Sequence, residues 1–251
     1  MPSTALKGLF RSLRIYHGHP DHNHRLDATY GPFLRPGNVA FDIGSHVGDR
    51  ISSFRRLGAR VIALEPQPLA QRALRLIHGR DPLVSLVPAA CGAEPGTVTF
   101  FINPANPTVS TGSAQFIDAA QGAPGWEGQQ WSTATEVPCT TLDQLIAEHG
   151  RPDFVKIDVE GFEAAVLEGL SEALPAISFE MTTIQRDVAE ACIHRLMALG
   201  PYRFTFSLGE SHAFAFAEPI TAEEMIAHLQ GLPPEANSGD VYAILSREHS
   251  R

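Results

Sequence analysis

From Val39 to Glu65 the chain runs through a short apolar stretch, a glycine-bearing turn, an amphipathic stretch and a second apolar run that ends on an acid. Val39 to Ile43 reads as a buried strand, and Asp42-Ile43-Gly44-Ser45-His46-Val47-Gly48-Asp49 carries the chain out of it. Ile51, Phe54 and Leu57 follow at helical spacing, and Gly58 stops that helix. Strand, turn, helix and strand make one βαβ unit, which commits the fold to a parallel sheet. Gly44 and Gly48 let the backbone turn tightly and approach a ligand, and Glu65 can accept hydrogen bonds from both hydroxyls of a ribose. This is a nucleotide-type cofactor seat.

The spacing bears on which cofactor sits there. Diphosphate-binding versions of the unit carry G-x-G-x-x-G, whose close glycine pair aims backbone N–H groups at a phosphate. Here the pattern is D-x-G-x-x-x-G, with Asp42 two residues before the one turn glycine. A carboxylate there repels a diphosphate and favours a cationic amino acid or a sulfonium. S-adenosylmethionine therefore fits better than NAD.

Bulk properties narrow the field further. The 251 residues, 43% apolar and 19% charged, suit one globular domain with an insertion. A net charge of −9 argues against a nucleic-acid partner, whose phosphates draw most of their affinity from Lys and Arg. Cys91, Cys139 and Cys192 have no metal-type spacing and imply a reducing compartment. No apolar run approaches the ~20 residues that span a bilayer. The N-terminus interleaves Lys7, Arg11 and Arg14 with Leu6, Leu9, Phe10 and Leu13 but lacks a secretory signal pattern, so a cytoplasmic protein is expected. That stretch reads either as a helix packed on its own domain or as one resting peripherally on a membrane surface.

Beyond Glu65 the rhythm continues. Helices are expected at Val47–Leu57, Pro68–His78, Glu163–Leu170, Asp187–Leu199 and Ala222–Gln230, with another starting at Thr140 or Thr141. Strands are expected around Ala40, Ile62 and Leu86, and at Phe154–Val159, Ala176–Glu180, Tyr202–Phe206 and Val241–Leu245, the last ones as an antiparallel edge. Thr97–Ile102 extends the sheet or pairs with Thr135–Cys139. Residues 103–135, rich in Gly, Pro, Ser and Asn, read as an active-site insertion or lid. Tyr16 to Asp27 reads as a solvated polar segment. Its His17, His19, His22 and His24 offer imidazole to a metal, although Gly18, Pro20 and Asn23 favour a plain loop, and no metal is expected.

A second chemical cluster lies in Asp153-Phe154-Val155-Lys156-Ile157-Asp158-Val159-Glu160-Gly161-Phe162-Glu163. Alternation along a strand puts Lys156 and Asp158 on one face and Val155 and Ile157 on the other. Asp158 and Glu160 then project at the carboxyl end of the sheet, where open α/β folds bind ligands. A buried Lys156 requires a carboxylate partner. Glu163 is explained by the dipole of the following helix. Glu180 ends the next strand and points to the same rim, as a proton acceptor, a hydroxyl ligand or a structural hydrogen-bonding group.

FDIGSHVGD, ALEPQP, VPAACGAEPGTVTFF, TTLDQLI, FVKIDVEGFEAAVLEGL and ISFE occur in the order and approximate spacing of the FkbM family of methyltransferases, which this chain resembles over about residues 38–182. The resemblance implies a Rossmann-like class I methyltransferase fold: α/β, with a mostly parallel seven-stranded sheet, an antiparallel edge and helices on both faces. Along the chain, the methyltransferase domain is expected over 37–251, with the insertion at about 103–135, after a helical and loop extension at 1–36. The resemblance also implies O-methyl transfer from S-adenosylmethionine to a hydroxyl of a sugar, glycan or polyketide-type small molecule. Asp42, Gly44, Ser45, His46 and Gly48 would meet the methionine end, Glu65 and Pro66 the ribose, Ala89 and Ala90 the adenine, and Asp158 would lie near the methyl group. Ser45 and His46 depart from the family's usual small residue and asparagine, so His46 meets either the cofactor carboxylate or the substrate.

A sugar hydroxyl must lose its proton as it is methylated, which calls for a general base. Asp158, Glu160, Glu180 and His46 are the candidates, with Asp158 or Glu180 preferred and Glu160 holding a second hydroxyl. In the insertion, Ser113 is a candidate polar contact, and Trp126 and Trp131 either stack on a carbohydrate or anchor the loop. Two readings of other classes compete: an NAD-dependent oxidoreductase, and a catalytically silent cofactor-binding module.

Overall fold

A computed structural model of the protein describes residues 3–18 and 20–246. Its strands, in chain order, are β1 (Val39–Ile43), β2 (Arg60–Leu64), β3 (Val84–Val87), β4 (Ala90–Cys91), β5 (Gly96–Ile102), β6 (Thr133–Thr140), β7 (Phe154–Ile157), β8 (Ala176–Thr182), β9 (Tyr202–Leu208) and β10 (Ser238–Leu245). Seven of them form the main sheet in the order β3-β2-β1-β7-β8-β10-β9. All its pairs are parallel except those of β10, which runs antiparallel to β8 and β9. This is the Rossmann-like class I methyltransferase sheet.

Period-two alternation decides what each face carries. Phe41, Ile43, Val155, Ile157, Ile177 and Phe179 point into one core, which is covered by α6 (Leu142–His149), α7 (Glu163–Glu168), α8 (Arg186–Leu199) and α9 (Ala222–Gly231). The intervening residues Ala40, Phe154, Ala176 and Tyr242 meet a second core against α2 (Pro20–Tyr30), α3 (Asp49–Arg56) and α4 (Pro68–His78). On that second face the strand ends turn polar: Asp42 pairs with Lys156, Lys156 with Ser178, and Glu180 with Asp240.

The segment at Thr97–Ile102 does pair antiparallel with residues 133–140, but in a separate three-stranded sheet of order β4-β6-β5. Thr141 caps α6 by accepting the Gln144 N–H.

The polar, histidine-rich stretch departs from the expected loop. Helix α1 (Thr4–His17) is followed by α2, whose Leu26 and Tyr30 stand four apart and are buried against Phe54 and Phe154. Counting polar residues hid this i, i+4 apolar pair. His19 lies outside the described residues. Helix α1 packs Leu9 on Val47 and Ala73 and leaves Leu6, Phe10 and Ile15 exposed. No described helix is long and apolar enough to cross a membrane.

Residues 103–135 also carry more order than a polar lid. They contain a short 3-10 turn (Pro107–Val109), helix α5 (Ala114–Ala120) and a small core of Val109, Phe116, Ala120 and Trp126.

Candidate active site

Strand β1 has β2 on one side and β7 on the other, so the chain order reverses between β1 and β7. In open α/β sheets that reversal opens a crevice at the carboxyl ends. Gly44, at φ 88°, ends β1 there, and a Cβ on it would collide with the Asp158 carbonyl at the end of β7. The two strand ends close up only because residue 44 is glycine. Gly48 (φ 82°) serves a different contact, since a Cβ there would meet Leu74 and His78 of α4.

A cleft of about 530 Å³, its open mouth included, lies beside this turn. Gly44, His46, Glu65, Pro66, Ala89 and Ala90 line it, and Asp158 closes one end. Three residues expected there do not line it. Ser45 turns inward, its hydroxyl donating to the Asp42 carbonyl at 2.8 Å. Asp42 lies fully buried beneath the turn, and Gly48 faces α4. Val98 and Phe100 of β5, Ser110 and Gly112 of the insertion, and Phe162 also line the cleft. Their only sequence signal is an apolar β segment next to an irregular loop.

Glu65 is 2% exposed, and the backbone N–H groups of His46 (2.9 Å) and Gln67 (2.7 Å) each donate to one of its carboxylate oxygens. Burial pushes its pKa to about 7, against the pull of these donors. Each oxygen keeps a lone pair for a ligand hydroxyl. Asp42 is likewise pushed up to about 7 by burial, and both its oxygens are orphaned. Such a carboxyl gains most from a nearby cation. His46 sits at φ 46°, half-buried, with its Nε2 buried and unpartnered and its pKa lowered by desolvation to about 4. The neutral ring stands edge-on to Tyr16 at 5.8 Å.

The strand-end acids come together. Asp158, Glu160 and Glu180 place one carboxylate oxygen each within 4.8 Å of the others. Glu160 occupies a left-handed conformation (φ 57°), and Thr111 of the insertion donates to its carbonyl at 2.6 Å. Burial and the neighbouring acids hold Glu160 and Glu180 well above the carboxylate range. Asp158 is burdened by the same burial, yet Lys156 and Arg50 hold its pKa below the usual range. Lys156 is fully buried, with its Nζ 2.8 Å from Asp240 and 3.2 Å from Asp158, so it has the required carboxylates. Glu163 accepts the N–H groups of Val159 and Gly161, a local capping role.

Arg50 joins the site from just beyond the turn motif that ends at Asp49. Its guanidinium lies 3.3 Å from Asp158 and 3.6 Å from Asp49, in the first turn of α3, where the helix dipole disfavours a cation. That breach of a local preference was the available signal. Behind it, His22 Nε2 lies 2.9 Å from Asp49, and His17 Nε2 lies 2.9 Å from the Val47 carbonyl. The N-terminal helices thus hold the turn after β1 from outside.

The insertion braces the acids. Phe116 packs where a Cβ on Gly161 would stand, and Ser113 caps α5 by accepting the Phe116 N–H. Trp126 lies edge-on to Phe116 at 5.0 Å, and Trp131 Nε1 donates to the Val109 carbonyl at 2.7 Å. Both tryptophans therefore anchor the loop.

A nucleoside joined to a cationic amino acid fits these residues. The buried Glu65 offers lone pairs to a diol, the cleft walls are largely apolar, and the orphaned Asp42 lies close by. The family model described as "Methyltransferase FkbM domain" matches residues 42–216. A curated relative, hexuronic acid methyltransferase AglP of Haloferax volcanii, is 28% identical over 163 residues. The match spans 64% of this chain and 62% of that relative's length. Among solved structures, the O-methyltransferase from Bacillus cereus in complex with SAH has 14% identity, with 96% of this chain and 91% of that one covered, at a TM-score of 0.49. A TehB-like SAM-dependent methyltransferase from Corynebacterium glutamicum has 10% identity, with 94% of each chain covered, at 0.47. With its sheet order, its cleft at the β1/β7 reversal and a family match over most of its length, this chain belongs to the FkbM methyltransferase family, whose cofactor is S-adenosylmethionine.

Proposed function

We propose that the protein is an O-methyltransferase acting on a hydroxyl of a sugar, glycan or polyketide-type small molecule, with acidic sugars foremost. The carboxyl cluster of Asp158, Glu160 and Glu180 carries this reading, because it adjoins the cleft through Asp158. Bound S-adenosylmethionine supplies an electrophilic methyl group on a sulfonium. The residues of the chain then have to hold the acceptor, take its proton and exclude water.

Glu65 and Pro66 would hold the ribose, Ala89 and Ala90 would flank the adenine, and Gly44 with His46 would border the methionine end. Asp158, kept ionised by Lys156 and Arg50, is suited to align the acceptor hydroxyl. Glu160 and Glu180 hold protons more tightly, and the one that is ionised is the stronger proton acceptor. Three carboxyls so close do not all ionise together near neutrality, so one of them can share a proton with a neighbour. The name of the Haloferax volcanii relative supports a hexuronic acid as the first acceptor to try.

The test is incubation with trideuteromethyl-labelled S-adenosylmethionine and a panel of uronic-acid glycans, neutral glycans and polyketide alcohols, read by mass spectrometry. Gain of one labelled methyl group on an oxygen is expected, with a uronic-acid glycan as the best acceptor. Methylation only at nitrogen or carbon, or none across the panel, would overturn the reading. Turnover should climb with pH through a point above the ordinary carboxyl range, since burial and like charge raise the acceptor's pKa and only its ionised form takes a proton. A rate that does not change across that range would remove Glu160 and Glu180 from the proton-transfer step.

A further inference from the structure

A second cluster of potential ligands lies outside the cleft, where α2 meets the turn that follows β9. His22, Glu210 and His212 each bring one ligand atom within 4.8 Å of the other two. His22 comes from α2, and Glu210 and His212 from the single turn after β9, so the convergence depends on an N-terminal helix packing on the antiparallel edge. The His22 and His212 rings stand edge-on with centroids 5.5 Å apart. Their side chains are 9% and 7% exposed, while Glu210 is 59% exposed and faces solvent.

Two further observations point to a ligand. His212 Nε2 is buried and has no hydrogen-bond partner, although Glu210 Oε2 lies only 3.2 Å away. A buried ring nitrogen next to a carboxylate oxygen, without hydrogen-bond alignment, suits two groups that converge on a shared third atom. His22 is in turn oriented from behind, since its Nε2 lies 2.9 Å from the buried Asp49. Metal-bound histidines commonly give their other ring N–H to a carboxylate, which fixes the ring and raises its basicity. With Nε2 engaged, Nδ1 is the nitrogen His22 has left for a cation.

We propose that His22, Glu210 and His212 form a binding site for a borderline divalent transition metal, with zinc as the type ion and Asp49 as the outer carboxylate. Two imidazoles and one carboxylate suit zinc, and three protein ligands with solvent access at Glu210 leave a fourth position for water. Hard cations such as magnesium prefer all-oxygen sets and are excluded by the same donors. The ion clips α2 to the turn after β9. Through Asp49 it also steadies the turn that carries Arg50, which lies against Asp158. This site is separate from the carboxyl cluster of the proposed function and does not depend on it.

The test uses the full chain without a histidine tag, stripped with chelator and dialysed. Zinc and magnesium chlorides are titrated by calorimetry, and bound metal is counted by elemental analysis. One zinc per chain is expected at micromolar or lower Kd, with no magnesium uptake at this site. At a hundredfold excess over Kd, the melting temperature should rise on the order of 5–10 °C. His212→Ala and Glu210→Gln should each weaken zinc binding at least about tenfold, as loss of one of three ligands implies. Both variants are checked by circular dichroism and by binding of S-adenosylhomocysteine, so that misfolding is not scored as ligand loss. Failure of the wild-type chain to take up zinc, or undiminished uptake by both folded variants, would overturn the proposal.

Discussion

Replacing Asp158 with asparagine is expected to lower turnover on the order of 10²–10⁴-fold, the usual range for a group that positions or takes a proton in the transition state. The substitution keeps the shape of the side chain and removes only its charge and one acceptor. Asparagine still reaches Lys156 and Arg50, so the fold and the cleft persist while the electrostatics of the cluster invert. Without the Asp158 charge, Glu160 and Glu180 lose a repulsive neighbour and their pKa values fall, which weakens whichever acts as the base. The residual rate of Asp158→Asn should therefore show an acid limb at lower pH than the wild type. Full turnover with an unmoved profile would place Asp158 outside the reaction.

The second large effect concerns stability. Lys156→Met should cost about 3 kcal/mol in urea unfolding, because it strands two acids without their cation. The figure sits at the low end for a broken buried pair, since the Asp158 and Asp240 side chains keep 18% and 15% of their exposure and so retain some water. The same substitution in an Asp240→Asn background should cost less, because one of the two stranded charges is already gone. Equal losses in both backgrounds would mean that Lys156 stabilises the sheet only by packing its methylenes.

The sheet was legible because its instructions are local. Two-residue alternation in Val155-Lys156-Ile157-Asp158 and in Ile177-Ser178-Phe179-Glu180 fixes which face is apolar, and Gly44 marks where β1 must approach β7. The cleft residues next to these strand ends were legible for the same reason. What was hidden depends on contacts between distant segments. Asp240 partners Lys156 from 84 residues away, and no spacing rule announces it. Arg50 faces Asp158 only once α3 packs beside β7. Helix α2 was obscured because its buried face is short and includes His22, a residue that counts as polar but here bonds inward to Asp49. Ser45 and Gly48 look like ligand residues in the motif, yet they build the turn itself: one bonds the Asp42 carbonyl, and the other makes room for Leu74 and His78.

The most direct measurement is calorimetry of the full chain with S-adenosylhomocysteine, and separately with NAD, on the wild type and on Glu65→Ala. The expected result is one molecule of S-adenosylhomocysteine per chain, no NAD, and an affinity at least about tenfold weaker in the variant, the loss of charge-assisted hydrogen bonds to a ribose. Binding of NAD in place of S-adenosylhomocysteine, or S-adenosylhomocysteine binding indifferent to Glu65, would contradict the placement of the cofactor in the cleft beside Gly44.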